Sequence, residues 1–227
     1  MWPISRKLRM AGFDPTTWSY RSLGQNIGAL SDKFLQFLQY NLDSNGQQPI
    51  HVVTHSMGGI IVRSALSSAP DIKFGRVVML APPHGGSHVA RKLSPYAGWL
   101  APSLKQLSDD PHSFVNRLPN SYLDRSIEFG IVAASKDRVI HPDKVRLPGL
   151  ADFAAVHGHH GILPWYRETA ELVLNFLQTG SFNRTYQSDL VGADINFDSP
   201  PEASLLQKIG KPSVEWQGGN SVASEVI

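Results

Sequence analysis

The sequence predicts an α/β protein with a mostly parallel β-sheet flanked by helices. Short apolar runs rich in β-branched residues alternate along the chain with segments of helical periodicity, a pattern typical of parallel sheets. The runs lie at residues 50–54, 75–80, 127–134 and 152–156. The chain has 227 residues, of which 41% are hydrophobic and 18% charged, so it is long enough to bury one hydrophobic core.

The N-terminal part of the chain is predicted to hold a short helix, a strand and a long helix. Residues 4–12 carry apolar side chains at the spacing of a short helix that ends at Gly12, and residues 13–20 have the composition of a strand. Residues 27–42 repeat apolar side chains at helical spacing after Asn26, a residue type that caps helix N-termini. The strand at 50–54 follows and runs into a helix at 57–68.

The segment 82–126 interrupts the alternation of strands and helices. It mixes prolines with short apolar clusters and is too long for a plain connection. We interpret it as a partly helical cap inserted over one end of the sheet. The alternative is an ordinary crossover that carries two short helices. After the insertion, the last helix is expected at 164–177, ended by Gly180.

The C-terminal segment 183–227 differs in composition from the rest of the chain. It has three basic and six acidic residues, is rich in serine, glycine and asparagine, and has no sustained periodicity. Such composition favours disorder over a packed core. We therefore predict one domain at 1–182 and a largely disordered tail.

The composition excludes several classes of protein. There are no cysteines, which rules out disulfides, thiolate zinc sites and cysteine nucleophiles. The formal net charge of +2 gives no argument for binding nucleic acid. No apolar stretch reaches the length of about 18 residues that a transmembrane segment needs.

The strongest chemical signal is VVTHSMGG at 52–59. A strand runs directly into Ser56 and a helix begins right after it, so the turn is sharp and lifts the hydroxyl clear of the sheet edge. Small residues two positions away fit this turn, a need that Gly58 meets and Thr54 meets less well. The N–H of Met57 lies at the helix N-terminus and favours an oxyanion beside the serine. The alternative is a serine that only caps the helix.

This segment resembles the nucleophile elbow of α/β-hydrolases, especially the small serine lipases and esterases. LAPPHGGS at 80–87 is similar to the family's segment after the next strand, and FLQTGSF at 176–182 is similar to its closing helix. The resemblance covers residues 1–182. It implies a serine hydrolase that cleaves carboxylic esters through an acyl-enzyme, with a small-molecule ester or lipid as substrate and with no cofactor or metal.

The family's chain order of serine, acid and histidine implies the partners of Ser56. The segment IVAASKD at 131–137 puts Asp137 in the loop after a strand, and Asp143 is the near competitor. The histidine lies between the last strand and the closing helix, where VHGHHGIL at 156–163 offers three candidates. Alignment of the closing helix without a gap favours His160 as the base. His159 and His157 remain open alternatives.

The histidines near the predicted triad have two other interpretations. The histidines at 157, 159 and 160 resemble a metal site, but neighbours on one short turn cannot easily face one ion, and no zinc-protease spacing accompanies them. His55 is expected to pack beside the elbow rather than to react. The alternative function is a catalytically impaired binding module of this fold, or a fragment of a longer hydrolase.

One element of the family pattern has no counterpart in the sequence. The family has a strand and a His-Gly-rich loop before its first helix, and that loop supplies a second oxyanion donor, whereas residues 4–12 already resemble the following helix. The missing strand would leave a gap between the strands at 13–20 and 50–54, with unpaired backbone groups. We expect either a truncated start or a sheet that closes up with a depleted oxyanion hole. Localisation is therefore not predicted, with the cytoplasm as the default.

Overall fold

A parallel sheet flanked by helices forms the centre of the protein, which confirms the predicted fold class. The computed structural model describes residues 1–45, 49–68, 72–120, 126–182 and 223–226. Within them the sheet has six strands in the order β1-β6-β2-β3-β4-β5, and every pairing is parallel. The strands are β1 (Thr16–Trp18), β2 (Ile50–His55), β3 (Phe74–Leu80), β4 (Phe129–Ala134), β5 (Asp152–Val156) and β6 (Ala223–Val226).

Helices cover both faces of the sheet. They are α1 (Trp2–Met10), α2 (Ile27–Asn45), α3 (Met57–Ser68), α4 (His88–Ala97), α5 (Pro102–Gln106), α6 (Phe114–Arg117) and α7 (Arg167–Thr179), with 3₁₀ turns at Pro142–Lys144 and His160–Trp165. Along the part of the chain described, no helix is both long and apolar enough to cross a bilayer.

The alternation of side chains along the central strands creates two hydrophobic cores. Val52 and Val77 pack with the apolar faces of α2 and α3 on one side of the sheet. Their neighbours Val53 and Val78 pack with α1 and α7 on the other side. Both sides of β2 and β3 are therefore buried, which explains why these strands are continuous apolar runs rather than alternating ones.

Two helix ends follow the local signals that predicted them, and a third does not. The side-chain oxygen of Asn26 accepts the N–H of Ala29 at 2.8 Å, so this residue caps α2 as predicted. Gly180 has φ of 79° and ends α7, where its N–H donates to the Phe176 carbonyl at 2.8 Å. The start of the last helix differs from the prediction, because residues 160–165 form a 3₁₀ turn containing Pro164 and α7 begins only at Arg167.

The insertion between β3 and β4 packs beside the helix that follows Ser56. It carries α4, α5 and α6, and Val115 of α6 is fully buried in the core of the α2–α3 side. Arg63 of α3 donates to the Leu118 carbonyl at 2.7 Å and to the Asn120 side chain at 3.0 Å. The predicted boundaries of a cap at 82–126 stay a prediction, and residues 121–125 lie outside the described chain.

The sheet differs from the sequence expectation between β1 and β2. The strand β6, from the C-terminal segment, lies there and pairs with both neighbours in parallel. Thr17 is opposite Glu225 on one side, and Val53 is opposite the same residue on the other. Parallel strands separated by a gap would leave unpaired N–H and C=O groups, and β6 pairs with them. The remainder of the predicted disordered tail lies outside the described residues.

Candidate active site

The turn between β2 and α3 has the backbone strain expected of an exposed nucleophile. Ser56 has φ of 53°, a left-handed conformation that costs a non-glycine residue on the order of 1–3 kcal/mol. Its N–H donates to the Leu80 carbonyl of β3 at 2.8 Å, which ties the turn to the neighbouring strand. A close approach of this turn to the neighbouring loop requires a small residue at Gly59, since a Cβ there would lie 2.9 Å from the Cβ of Pro82. The need for a small residue at Gly58 stays a prediction.

The structure brings Ser56, Asp137 and His160 together at the carboxyl ends of three strands. The Nε2 atom of His160 lies 2.9 Å from the Ser56 hydroxyl, and its Nδ1 atom lies 2.7 Å from a carboxylate oxygen of Asp137. The three residues follow β2, β4 and β5, whose ends meet at one edge because the strands are parallel. With its proton on Nδ1, the ring can donate to the carboxylate and accept a hydrogen bond from the serine hydroxyl at Nε2.

The carboxylate of Asp137 is held in its charged form by a set of donors. One oxygen accepts the N–H groups of Val139 and Ile140 at 2.8 and 2.9 Å, and the other accepts Nδ1–H of His160. Burial by itself would raise the pKa of Asp137, but these hydrogen bonds outweigh it and the pKa lies below its ordinary value. The side chain is only 3% exposed, so it faces the imidazole rather than water.

The other two histidines of the turn point elsewhere. His159 donates from Nδ1 to the Lys136 carbonyl at 3.1 Å, and the Nδ1 atom of His157 lies 3.5 Å from the Ser135 hydroxyl. Both are exposed, whereas the side chain of His160 is 12% exposed. Where the structure describes the chain, no group of three or more histidine, aspartate or glutamate side chains is arranged to hold a metal ion.

Met57 is the first residue of α3 and lies beside Ser56. The first N–H groups of a helix have no partner within the helix and point out of its N-terminus. They carry the positive end of the helix dipole, which stabilises negative charge. The role of the Met57 N–H as an oxyanion donor stays a prediction.

His55, expected to pack beside the elbow, also makes a hydrogen bond to the turn that carries His160. Its Nε2–H donates to the backbone carbonyl of His160 at 2.9 Å, and the two rings are 5.0 Å apart. Burial is the main cause that lowers the pKa of His55 to about 4, so the ring is neutral near pH 7. The place of His55 next to Ser56 in the sequence pointed to this site. Its hydrogen bond to His160, 105 positions away, could not be predicted from local spacing.

The segment 80–87 fixes the loop that carries Asp137. The Ser87 hydroxyl donates to the Val139 carbonyl at 2.8 Å, and the Gly85 N–H donates to the Lys144 carbonyl at 2.8 Å. Gly86 has φ of 84°, and a Cβ there would lie 2.5 Å from the Cα of Asp109. The two glycines thus allow backbones to meet closely, and the serine holds the loop that begins at Asp137.

A cavity of about 540 Å³ opens beside the serine and histidine turns. His55 and Gly161, the chain neighbours of Ser56 and His160, line it together with Trp2 and Trp165. Ser5 and Arg9 of α1 add polar groups. The cavity has the size and mixed lining of a site for a small organic molecule.

A parallel sheet with a strand–serine–helix turn, an acid after a later strand and a histidine after the last one defines the α/β-hydrolase class of fold. A family model described as alpha/beta hydrolase fold matches residues 11–119. The chain therefore has the α/β-hydrolase fold. No curated protein matches the sequence.

Solved structures with the same fold share little sequence with the chain. The phospholipase PlaB from Legionella pneumophila superposes with a TM-score of 0.59 at 15% identity, over 78% of this chain and 54% of that one. The mature lipase BlEst2 from Bacillus licheniformis superposes with a TM-score of 0.51 at 18% identity, over 64% of this chain and 75% of that one. The chain thus spans about half the length of the phospholipase, and the likeness concerns the fold.

Proposed function

We propose that the protein is a serine hydrolase that cleaves carboxylic esters, in the manner of lipases and esterases. The observation that carries the proposal is the continuous hydrogen-bond chain from the Ser56 hydroxyl through His160 to Asp137, with distances of 2.9 and 2.7 Å. A serine hydroxyl is a weak nucleophile until an adjacent base can accept its proton, and an oriented carboxylate stabilises the imidazolium that results.

The proposed reaction has two halves with one covalent intermediate. In the first, the Ser56 oxygen attacks the ester carbonyl while its proton passes to Nε2 of His160. The Met57 N–H donates to the oxyanion, a type of contact worth about 10²–10³ in rate in enzymes where it was removed. The carbon–oxygen bond then breaks, and His160 returns the proton to the departing alcohol.

In the second half, water replaces the alcohol. His160 accepts a proton from the water, the resulting hydroxide attacks the acyl carbon, and the bond from the acyl group to Ser56 breaks. The proton returns to the serine oxygen and the carboxylic acid leaves. Asp137 stays ionised throughout, which is consistent with the direction of its pKa shift.

An apolar acyl or alcohol group fits the surroundings of the proposed triad. The cavity that touches His55 and Gly161 is walled in part by Trp2 and Trp165. Large aromatic surfaces bind hydrocarbon through burial of apolar area. The proposed substrates are therefore esters with a hydrocarbon chain, and the length of that chain is a quantity to measure.

The test combines covalent labelling with turnover. The folded wild-type protein is expected to react with a fluorophosphonate reagent and to hydrolyse p-nitrophenyl esters. Ser56→Ala is expected to abolish labelling and to lower kcat by at least about 10³. Ser94→Ala, which changes a serine whose hydroxyl contacts only a helix carbonyl in the contacts described, is the matched control.

Two results would contradict the proposal. One is a folded wild-type chain that neither takes the label nor turns over any ester, which would favour a binding module of the same fold. The other is a Ser56→Ala variant that retains turnover within tenfold of the wild type while the melting temperature is unchanged.

A further inference from the structure

Five large exposed apolar side chains come from two segments that meet in the structure. Leu93, Tyr96, Trp99 and Leu100 come from α4 and the turn after it, and Leu23 comes from the loop before α2. Tyr96 and Trp99 are each 82% exposed, and Leu23 is 60% exposed. These five residues are called the apolar patch below. Single exposed apolar residues are ordinary on a protein surface, whereas a group of this kind marks a site of interaction.

Backbone hydrogen bonds hold the two parts of the patch next to each other. The Gly24 N–H donates to the Leu100 carbonyl at 2.8 Å, which fixes Leu23 beside the turn that carries Trp99 and Leu100. The Ile27 N–H donates to the Gln106 side chain at 2.6 Å, so the start of α2 is attached to α5 as well. The patch is therefore a built surface that joins two segments distant in sequence.

The two segments that carry the patch are basic. The segments 20–25 and 88–107 contain four basic residues, Arg21, Arg91, Lys92 and Lys105, and no acidic residue. Asp109, which follows these segments, lies 3.0 Å from Arg91, and the Arg91 side chain stays 60% exposed. Protein surfaces that combine exposed tyrosine and tryptophan rings with lysine and arginine are typical of those that bind at the boundary between acyl chains and headgroups.

The location of the patch relates it to the candidate active site. The loop before α2 follows β1 and the insertion follows β3, so both leave the carboxyl edge of the parallel sheet. Ser56, Asp137 and His160 lie at the same edge. A flat partner that contacts the patch therefore approaches the molecule from the side on which the candidate triad lies.

We infer that the apolar patch docks the protein onto a lipid surface that carries anionic headgroups. The aromatic and leucine side chains enter the boundary with the acyl chains, and Arg21, Arg91, Lys92 and Lys105 contact the headgroups. This docking is separate from the proposed reaction, and vesicle binding tests it without any measurement of catalytic activity.

Charge favours a lipid surface over a second copy of this chain as the occupant. A symmetric contact between two patches would bring the same basic residues of both copies together without an acid in either segment to pair with them. Like charges in a shared interface oppose association. An anionic lipid surface supplies the complementary charge, and each lysine or arginine near such a surface strengthens binding roughly fivefold.

The experiment measures binding of the full chain to vesicles by sedimentation. Vesicles of two parts phosphatidylcholine to one part phosphatidylglycerol are compared with vesicles of phosphatidylcholine alone. The wild-type protein is expected to bind the anionic vesicles, and more weakly at high salt because ions screen the headgroup charge. The double variant Tyr96→Ser, Trp99→Ser is expected to bind at least about tenfold more weakly. Tyr40→Ser removes a ring that is 76% exposed on α2 and is the matched control.

A second pair of variants tests the charge separately from the apolar side chains. Lys92→Glu combined with Lys105→Glu is expected to weaken binding to anionic vesicles by more than about tenfold. Lys73→Glu makes the same kind of change at an exposed residue before β3, at the opposite edge of the sheet, and is expected to leave binding nearly unchanged. All variants change exposed residues, and melting curves verify that each is folded.

Three results would overturn the inference. The first is a folded wild-type protein that sediments with neither kind of vesicle. The second is equal loss of binding in Tyr40→Ser and in the patch variant. The third is self-association, measured by light scattering, that disappears in the patch variant while vesicle binding is absent, which would assign the patch to contacts between copies.

Discussion

Replacing His55 tests whether the candidate base depends on a neighbour that takes no part in the chemistry. The Nε2–H of His55 donates to the backbone carbonyl of His160 at 2.9 Å. His55→Leu removes this donor and leaves the carbonyl without it. A hydrogen bond of this kind contributes about 0.5–1.5 kcal/mol net, and an unsatisfied buried partner costs about 1–3 kcal/mol.

The effect on rate follows from the geometry of the triad. A cost of about 1–3 kcal/mol for the unsatisfied carbonyl corresponds to a loss of roughly 5- to 150-fold in rate when it opposes the reactive position of His160. The imidazole must stay within 2.9 Å of Ser56 and 2.7 Å of Asp137, so a small shift of its backbone breaks both contacts. We expect kcat of His55→Leu to fall about 10- to 100-fold while KM changes little.

The matched variant is His55→Gln, whose side-chain amide can donate to the same carbonyl. It is expected to recover most of the lost kcat on a p-nitrophenyl ester. Because the pKa of His55 is about 4, the ring is already neutral above that pH and its loss should leave the shape of the pH–rate profile near neutrality unchanged. The reasoning is refuted if His55→Leu retains the wild-type kcat, or if His55→Gln is as impaired as His55→Leu.

Three further predictions concern the base, the pH dependence of stability and the C-terminal strand. His160→Gln should lower kcat by about 10³ or more, because it removes the base beside Ser56. His159→Gln loses only a contact to the Lys136 carbonyl and should lower kcat far less. The reverse order of losses would assign the base to His159. Burial lowers the pKa of His51 and His55 to about 4. Between pH 6.5 and 4 the unfolded chain therefore binds protons that the folded chain does not. As the pH falls through this range, the free energy of unfolding should fall by up to about 1.4 kcal/mol per pH unit for each histidine. Urea titrations measure this slope, which should be shallower in His55→Gln and would contradict the assignment if it were flat in the wild type. Deleting residues 223–227 should lower the melting temperature by more than about 3 °C, because β1 and β2 lose a shared partner; an unchanged value would mean that β6 does not support the sheet.

Local signals in the sequence were sufficient for most of the sheet and its helices. A β-branched run followed by Ser56 and two glycines predicted β2 and α3 because strand, turn and helix are each specified by adjacent residues. The strand β5 was placed at its observed bounds for the same reason. The sequence did not predict the strand β6. Its four residues have no periodicity, and they form a strand because they pair with β1 and β2, which lie far away in the chain.

Only part of the candidate site could be predicted from local sequence. Ser56 and Met57 follow from the turn itself, whereas Asp137 and His160 depended on the family's chain order. The choice among three histidines needs ring directions, because His157, His159 and His160 lie within four positions on one turn and differ only in where each ring points. The donor role of His55 and the contact of Ser87 with the loop after Asp137 needed the tertiary structure, because neither partner lies nearby in the chain.

The chain separations within the candidate triad have a consequence for how activity returns during refolding. Asp137 and His160 are 23 residues apart and follow adjacent strands, so their contact requires only that β4 and β5 pair. Ser56 is 104 residues from His160, and it joins them only when β2, β3 and β4 have assembled in register. Closing the longer loop costs more chain entropy. Ester turnover should therefore recover later than helical circular dichroism, which makes the reaction a reporter of the last long-range step in assembly of the sheet.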